Sequence, residues 1–252
     1  MLIEFNGKRI LVAGAARGIG QSIARAFAQR GGTVAAADKL VVEVRAIAGD
    51  NASGGRITAY EIDVTDPASI DVVVAAAGPV DVLVYVAGGV LGQQARPIDE
   101  VSASDFRDVV DVNLTGCFLL AKAVAPAMKE AGRGRIVTIS SRAGLATSLT
   151  GIQSYASAKH AQIGLVKQLS QELGPFGITV NSVAPGFMAT SPDYERQWQG
   201  YTDDFRQTFA DRIAMRRMGT PEDIAHAVLF LSSSYASWIT GQVLPVTGSP
   251  IA

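Results

Sequence analysis

The chain has 252 residues, 48% of them hydrophobic and 18% charged, and its formal net charge is −1. This balance is typical of a globular protein with a large buried core, and it argues against disorder. Because no run of lysine or arginine forms a basic stripe, we expect no nucleic-acid partner.

Cysteine and histidine usage argues against a metal site. The single cysteine, Cys117, excludes an intrachain disulfide and a thiolate metal cluster, and its apolar surroundings predict a small core residue. His160 and His226 are far apart in the sequence and lack the spacing of zinc ligands. We therefore expect no metal.

No segment is predicted to cross a membrane. The N-terminal residues lack the charged start, apolar core and cleavage site of a signal peptide. The most apolar stretch, 72–92, is interrupted by Gly78, Pro79 and Asp81, and each half is too short to span a bilayer. We expect a soluble, cytoplasmic protein without a membrane partner.

Short apolar runs alternate with longer segments of helical period along the chain. Because the runs are nearly continuous in valine, isoleucine and alanine, they predict strands covered by helices on both faces. We therefore predict a single α/β domain, 1–252, with a doubly wound, seven-stranded parallel sheet of Rossmann type. The predicted strands are 9–14, 33–38, 56–63, 81–88, 135–141, 178–186 and 242–246; the predicted helices are 18–32, 41–48, 67–77, 102–131 (broken near Asn113), 153–173 and 220–233.

A glycine-rich loop follows the first predicted strand. Gly14, Gly18 and Gly20 have the spacing G-x-x-x-G-x-G and open the first helix. Glycines let backbone N–H groups and the positive end of a helix approach a pyrophosphate. Asp38, at the end of the second strand, can accept hydrogen bonds from an adenosine ribose and would repel a 2′-phosphate. This arrangement predicts a dinucleotide-binding site.

A tyrosine and a lysine share one face of the helix predicted at 153–173. Tyr155 and Lys159 are four residues apart, with only Ala156, Ser157 and Ala158 between them. The pair fits an ordinary amphipathic helix with a surface lysine. It equally fits a phenol whose pKa, near 10 when free, is lowered by the cation so that it can transfer a proton.

The motifs continue in a fixed order along nearly the whole chain. They are GAARGIG, the acid at Asp38, DVTD at 63–66, AG at 87–88, DVNLTG around Asn113, ISS ending at Ser141, YASAK at 155–159, NSVAPG ending at 186, RMGTPEDIA and ITGQVLPV. Each motif alone is modest. Together, in this order, they resemble the short-chain dehydrogenase/reductase family.

The resemblance implies a catalytic set of Asn113, Ser141, Tyr155 and Lys159. Tyr155 would be the general acid/base that moves the proton of the substrate's hydroxyl or carbonyl. Lys159, with the oxidised nicotinamide ring, would lower the pKa of that phenol and would hold the nicotinamide ribose. Ser141 would hydrogen-bond the reacting oxygen, with its neighbour Ser140 structural, and Asn113 would organise a water-linked proton path to the lysine.

The resemblance also implies a nicotinamide cofactor, and the charges favour NAD over NADP. Arg17 and Lys39 could hold a 2′-phosphate, but Asp38 would face it, and close like charges cost more than a mobile surface cation offsets. The residues expected at the cofactor are Gly14, Arg17, Gly18, Ile19, Gly20, Asp38, Asp63, Val64, Ala87, Gly88, Tyr155, Lys159, Pro185, Gly186, Met188 and Thr190.

Two sites depart from the usual family pattern. Ala13 stands where a threonine usually ties the glycine loop together. Tyr85 and Val86 stand where two asparagines usually brace the sheet and the cofactor loop. Because all four catalytic positions are kept, we interpret these changes as structural drift without loss of activity.

The segment 187–218 is expected to be irregular and, by resemblance, to cover the substrate as a lid. Its aromatic side chains could line an apolar pocket, or pack the lid or a subunit interface. Arg142, directly after Ser141, could meet an anionic substrate, although a surface or loop-bracing role is the simpler interpretation. The aromatic residues are Phe187, Tyr194, Trp198, Tyr201, Phe205 and Phe209.

The leading hypothesis is an NAD(H)-dependent enzyme that interconverts a secondary alcohol (a sugar, polyol, cyclic alcohol or hydroxy acid) and its ketone. One alternative is a 3-oxoacyl-[acyl-carrier-protein] reductase using NADPH, with Arg212, Arg216 and Arg217 as a weak docking patch. An alternative of another class is a catalytically silent NAD-binding sensor or scaffold. The resemblance further implies a homotetramer joined through the two long helices and the C-terminal segment.

Overall fold

One sheet forms the centre of the molecule in the computed structural model, which describes residues 2–188, 190 and 192–250. The strands are β1 Arg9–Ala13, β2 Thr33–Asp38, β3 Gly49–Asp50, β4 Arg56–Glu61, β5 Val82–Tyr85, β6 Gly134–Ile139, β7 Ile178–Pro185 and β8 Val243–Val246. Their order across the sheet is β3-β4-β2-β1-β5-β6-β7-β8. Every pairing is parallel except that of β3 with β4. The predicted parallel sheet is confirmed, with the short antiparallel β3 added at one edge.

Helices cover both faces of the sheet. They are α1 Gly18–Ala28, α2 Val41–Arg45, α3 Pro67–Ala77, α4 Ala103–Val110, α5 Gly116–Ala131, α6 Gln153–Leu173, α7 Pro192–Gln199, α8 Asp203–Arg212 and α9 Pro221–Ser232. α1 and α9 pack on the face that carries Ile10 and Val12, whereas α3, α5 and α6 pack on the face that carries Leu11 and Leu83. Because successive strand residues point to opposite faces, both faces bury apolar side chains. The doubly wound arrangement is confirmed.

Capping groups fix several helix ends where the sequence predicts them. The Asp66 side chain accepts a hydrogen bond from the backbone N–H of Ala68 at 3.0 Å and starts α3. Thr220 and Asp223 form a reciprocal capping box at the start of α9. α5 ends at Gly132, whose φ of 62° is the left-handed conformation that glycine adopts without strain.

A π-helical turn, Asp111–Thr115, separates α4 from α5. This turn confirms the predicted break near Asn113. A π turn inserts one extra residue into a helix, and such turns are frequent at functional sites. Here the turn carries Asn113, whose side chain is fully buried next to the loop that follows β5.

The helical run Ala103–Ala131 is long and apolar enough to cross a membrane, with a mean hydropathy of 1.4 in its most apolar window. A single helix of this kind is weak evidence, because the core helices of soluble proteins meet the same criterion. In this fold Cys117, Leu120 and Val124 of the run are buried against the sheet. Part of its apolar surface therefore packs in the core.

The expected irregular lid differs from what the structure shows. The segment 187–218 contains two helices, α7 and α8, although residues 189 and 191 lie outside the described part of the chain. Both helices are rich in charged residues, which hides their helical period in the sequence. Their aromatic residues lie four apart and therefore share a face, as Phe205 and Phe209 do with ring centroids 5.4 Å apart. α2 is also shorter than predicted, because the chain after residue 45 turns towards β3.

Candidate active site

A cleft opens where the winding of the sheet reverses direction. The chain builds β2 and β4 on one side of β1, and β5 to β8 on the other. The loops that follow β1 and β5 therefore diverge and leave a space at the carboxyl ends of these strands, the usual ligand position in such sheets. A cavity of about 640 Å³ lies there, lined by Gly14 on one side and Ala87 on the other.

The glycine loop leaves no room for side chains. An added Cβ at Gly14 would collide with the backbone of Ala87, and one at Gly18 would lie 2.6 Å from the carbonyl oxygen of Thr190. Gly14 and Gly18 have φ values of 90° and 48°, which favour glycine. A Cβ at Gly20 would collide with the carbonyl oxygen of Gly14. Bare backbone and the N-terminus of α1 therefore face the cavity, a cradle that fits the pyrophosphate of a dinucleotide.

Asp38 lies beside this cavity at the end of β2. Its Oδ2 accepts a hydrogen bond from the backbone N–H of Ala16 at 3.0 Å. Its Oδ1 accepts one from the backbone N–H of Leu40, also at 3.0 Å. Two backbone donors therefore fix the carboxylate at the rim of the cleft.

The two basic side chains near Asp38 are each paired with an acid. Arg17 lies 2.8 Å from a carboxylate oxygen of Glu43, and Lys39 lies 2.9 Å from a carboxylate oxygen of Asp63. Two cations and three carboxylates thus surround this end of the cleft and carry a formal charge of −1. That balance disfavours an additional phosphate.

Tyr155, Lys159 and Ser141 line a second, smaller pocket of about 90 Å³ that adjoins the cleft. Tyr155 and Lys159 lie on the first turns of α6, and Ser141 follows β6. Both Tyr155 and Lys159 are only 3% exposed, so the interpretation of Lys159 as a surface lysine is wrong. The Tyr155 hydroxyl lies 3.0 Å from the hydroxyl of Tyr194 on α7, and its other hydrogen-bond partner is Ser141.

A chain of hydrogen bonds connects Lys159 to Asn113. The Lys159 ammonium donates to the carbonyl of Ile139 at 2.9 Å and reaches the side-chain oxygen of Gln162 at 3.5 Å. The Gln162 amide donates to the backbone carbonyl of Asn113 at 3.3 Å. The Asn113 side chain in turn exchanges two hydrogen bonds with the backbone of Gly89, at 2.8 and 3.0 Å.

Burial penalises the charged forms of both candidate proton-transfer groups. It raises the pKa of the Tyr155 phenol above its ordinary value of 10, although hydrogen bonds with Ser141 and Tyr194 act in the opposite sense. It lowers the pKa of Lys159 to about 8. The direction for Tyr155 is opposite to the predicted lowering. The Lys159 ammonium lies 5.8 Å from the centroid of the phenol ring.

One departure from the family pattern has a structural role. Tyr85 is fully buried, and its hydroxyl donates a hydrogen bond of 2.5 Å to the carbonyl of Val112 in the π turn. Gly116 leaves room for this hydroxyl, because an added Cβ would lie 2.5 Å from it. Tyr85 thus ties β5 to the turn that carries Asn113. Ala13 is fully buried in the core, and nothing in the structure explains why alanine replaces the usual threonine there.

The fold brings most of the predicted site residues to the two adjoining pockets. Gly18 and Asn113 line neither pocket but pack against their walls at Thr190 and Gly88. The residues at the larger cleft are Gly14, Arg17, Ile19, Gly20, Asp38, Asp63, Val64, Ala87, Gly88 and Thr190. Those at the smaller pocket are Ile19, Gly88, Ser141, Tyr155, Lys159, Pro185, Gly186, Met188 and Thr190.

Two contacts in the site were not predicted from the sequence: that of Tyr194 with Tyr155 and that of Gln162 with Lys159. Tyr194 is 39 residues from Tyr155 along the chain, so no local spacing relates the two phenols. Gln162 follows Lys159 by three residues on α6, and that helical spacing could have pointed to it.

The fold and the two pockets define a class of protein: an oxidoreductase that uses a nicotinamide dinucleotide. A family model described as Enoyl-(Acyl carrier protein) reductase matches residues 14–248. The chain belongs to the short-chain dehydrogenase/reductase family, whose members act on CH–OH or keto groups with NAD(P).

Two curated relatives and one solved structure illustrate this similarity. The 3-oxoacyl-[acyl-carrier-protein] reductase of Escherichia coli (strain K12) is 37% identical over 250 residues, which cover 98% of either chain. A 3-alpha-(or 20-beta)-hydroxysteroid dehydrogenase of Mycobacterium bovis is 38% identical over 250 residues, covering 98% of this chain and 90% of that protein. A structure of 7 alpha-hydroxysteroid dehydrogenase complexed with NADH and 7-oxo glycochenodeoxycholic acid has a TM-score of 0.87 at 33% identity, covering 99% and 96% of the two chains.

Proposed function

We propose that the chain is an NAD(H)-dependent enzyme that interconverts a secondary alcohol and its ketone by hydride transfer. Sugars, polyols, cyclic alcohols and hydroxy acids are the substrate types considered. The observation that carries the choice of NAD is Asp38, whose carboxylate two backbone amides hold at the rim of the cleft. A 2′-phosphate would meet this charge, while Arg17 and Lys39 are already paired with acids. When bound, the nicotinamide ring supplies or accepts the hydride.

Tyr155 is the proposed general acid/base. Because burial raises its pKa, the phenol holds its proton at neutral pH and can donate it to the oxygen of a ketone. In alcohol oxidation the phenolate accepts the proton instead. Ser141, a hydrogen-bond partner of Tyr155 in the same pocket, is placed to hydrogen-bond the reacting oxygen.

Lys159 and Asn113 are proposed to support this transfer. The charged ammonium of Lys159 stabilises a phenolate on the same helix face more than it stabilises the neutral phenol. Lys159 is connected through Gln162 to Asn113 by hydrogen bonds, and a water-linked proton path could begin at this connection.

We also propose a cytoplasmic location and a homotetramer joined through α5, α6 and the C-terminal segment.

A 3-oxoacyl-[acyl-carrier-protein] reductase using NADPH is the second candidate. The similarity to the Escherichia coli enzyme over 98% of either chain supports it as well as it supports a dehydrogenase of small alcohols. Its weak point is the cofactor, since Asp38 stands where an NADPH enzyme would hold the 2′-phosphate. A structure of a 3-oxoacyl-[acyl-carrier protein] reductase from Brucella melitensis with bound NAD, 36% identical with a TM-score of 0.86 over 98% of this chain and 92% of that one, lessens this objection.

Direct titration with the two cofactors tests the proposal. We expect tighter binding of NAD than of NADP, and reduction of NAD by at least one secondary alcohol in a panel. Asp38→Asn should reduce the preference for NAD over NADP, because it removes the negative charge and keeps an oxygen that can still accept one backbone hydrogen bond. Tighter NADP binding together with turnover of 3-oxoacyl thioesters would replace the first candidate by the second.

Tyr155→Phe tests the assigned chemistry. The variant should bind NAD as the wild type does, because the phenylalanine ring fills the same space, while turnover should be abolished. Unchanged turnover would refute the role of Tyr155. Tight NAD binding by the wild type without turnover on a broad panel of alcohols, ketones and thioesters would favour a binding function.

A further inference from the structure

A third cavity, of about 820 Å³, adjoins the catalytic pocket. It lies between the lid helices, the loop after β6 and the C-terminal segment from Pro245 to Pro250. Gly186 and Met188 line both this cavity and the pocket of Tyr155, so the two spaces adjoin at these residues. The roles proposed above use none of the other side chains that line this cavity.

Aromatic and other apolar side chains form part of the cavity lining. The rings of Phe187 and Phe205 each pack on Phe209, with centroids 5.4 Å apart in both pairs. Two large apolar side chains that line the cavity are unusually exposed, Leu149 by 56% and Met215 by 65%. An apolar ligand would cover this surface with a gain of about 25 cal/mol per Å² buried.

The cavity also carries an excess of positive charge. One of its three arginines, Arg217, is closed in a two-bond pair with Asp223 at 2.7 and 2.8 Å. Arg142 and Arg212 have no ion-pair partner in the described part of the chain. Arg142 donates only to a loop carbonyl at 3.2 Å, and Arg212 lies over the ring of Phe205 at 5.2 Å. Two guanidinium groups therefore remain available beside apolar walls.

We propose that this cavity receives the substrate, and that the substrate is an alcohol or ketone with an apolar body and a negatively charged group recognised by Arg142 and Arg212. The inference rests on the proposed function, because the reacting oxygen must lie at Tyr155 and Ser141. Arginine suits this task, since its planar fork binds carboxylate or phosphate through two parallel hydrogen bonds. An arginine stacked on an aromatic ring keeps the edge of its fork free for an anion.

The two arginines reach the cavity from different parts of the chain. Arg142 directly follows Ser141 in the chain, whereas Arg212 ends α8, so the two arginines come from segments 70 residues apart. They line one cavity only because of the fold, together with aromatic residues of the lid. The apolar body of the substrate would then lie against the aromatic residues of the lid.

Matched substrate pairs test the proposal. Cyclic and long-chain secondary alcohols are assayed with NAD, each as the free carboxylate, as its neutral methyl ester and as a phosphate monoester of the same body. We expect a KM about tenfold to a hundredfold lower for an anionic form than for the ester, the range of a charge-assisted hydrogen bond. Comparing the KM values of the carboxylate and the phosphate forms shows which anion the site prefers.

Charge-removing variants assign the effect to the two arginines. Arg142→Gln and Arg212→Gln should raise KM for the anionic form towards that of the ester, with kcat changed less. Arg25→Gln is the matched control, since Arg25 is exposed on α1 and does not line the cavity. Equal KM values for the acid and ester forms in the wild type, or an advantage that survives both substitutions, would overturn the proposal.

A binding assay separates this inference from the proposed function. Of the two tryptophans, Trp198 packs on Phe187 and Phe209 at 5.6 and 5.4 Å, whereas Trp238 is 98% exposed. In a Trp238→Phe background, the fluorescence of Trp198 should therefore report ligand in the cavity, with or without turnover. Arginine-dependent binding of the acid but not the ester supports the site even if no compound is oxidised. Equal binding of both forms, or binding of neither, overturns it, whereas turnover that persists in Tyr155→Phe would refute only the catalytic assignment.

Discussion

Burial of a charged lysine makes a testable contribution to stability. The pKa of Lys159 is about 8 in the folded protein against an ordinary value of 10.5, because burial disfavours its ammonium form. Each pKa unit corresponds to about 1.4 kcal/mol, so the charged form costs the fold about 3 kcal/mol in total. Below pH 8 both the folded and the unfolded state hold the proton, and the full cost is present. Between pH 8 and 10.5 only the unfolded state holds it, so stability rises with pH.

Lys159→Met removes the titrating group, so this variant serves as the reference for the unfolding free energy of the wild type. Between about pH 7 and 9.5, the unfolding free energy of the wild type should rise by about 2 kcal/mol relative to that of the variant. Urea denaturation at fixed protein concentration measures both proteins at each pH. Lys167→Met, at an exposed position on the same helix, is the control and should follow the wild type. A difference between wild type and Lys159→Met that stays constant over this range would refute the assigned burial cost.

Three further variants test hydrogen bonds and close packing in the site. Tyr194→Phe removes a hydrogen bond that lowers the pKa of Tyr155, so the pH profile of alcohol oxidation should move to higher pH; an unmoved profile would show that the lid phenol has no influence. Tyr85→Phe leaves the carbonyl before Asn113 without this donor and should lower the unfolding free energy by about 1–3 kcal/mol in urea denaturation, and an unchanged midpoint would contradict the brace. Gly88→Ala would press a Cβ against the Asn113 amide at a φ of 148°, so calorimetric titration should show NAD affinity about tenfold weaker, and wild-type affinity would mean that the loop can shift.

The sheet was predictable because its signals are local. A parallel strand covered on both faces is a continuous apolar run, and each of the seven predicted runs overlaps a strand of the sheet. Helix starts were equally local: Asp66 and Thr220 act within three residues of their own position. The two-residue strand β3 has no such signal, because its pairing depends on where α2 ends.

The lid and the third cavity depend on contacts that no local pattern encodes. Phe187 packs against Trp198 and Phe209, which belong to two different helices of the lid. Arg142 and Arg212 approach one cavity only because the lid folds over the loop after β6. In the sequence these arginines and aromatic residues are far apart, and a role in packing was as reasonable an interpretation as a role in lining a pocket.

Depth of burial was the second property that spacing did not reveal. The four-residue interval put Tyr155 and Lys159 on one face of α6, as predicted, but it did not show that the face is buried at 3% exposure. Burial reverses the expected effect, since it opposes charge on both groups instead of favouring the phenolate. The same spacing on an exposed helix would leave both groups solvated by water.

Together these two pKa directions indicate which half-reaction the protein's own groups favour at neutral pH. Lys159, with a pKa of about 8, keeps most of its charge at pH 7, and Tyr155, with a pKa above 10, keeps its proton. The site therefore rests in the form that donates a proton, which is the form needed to reduce a ketone. Alcohol oxidation requires the phenolate, so its rate should continue to rise at alkaline pH where that of ketone reduction falls.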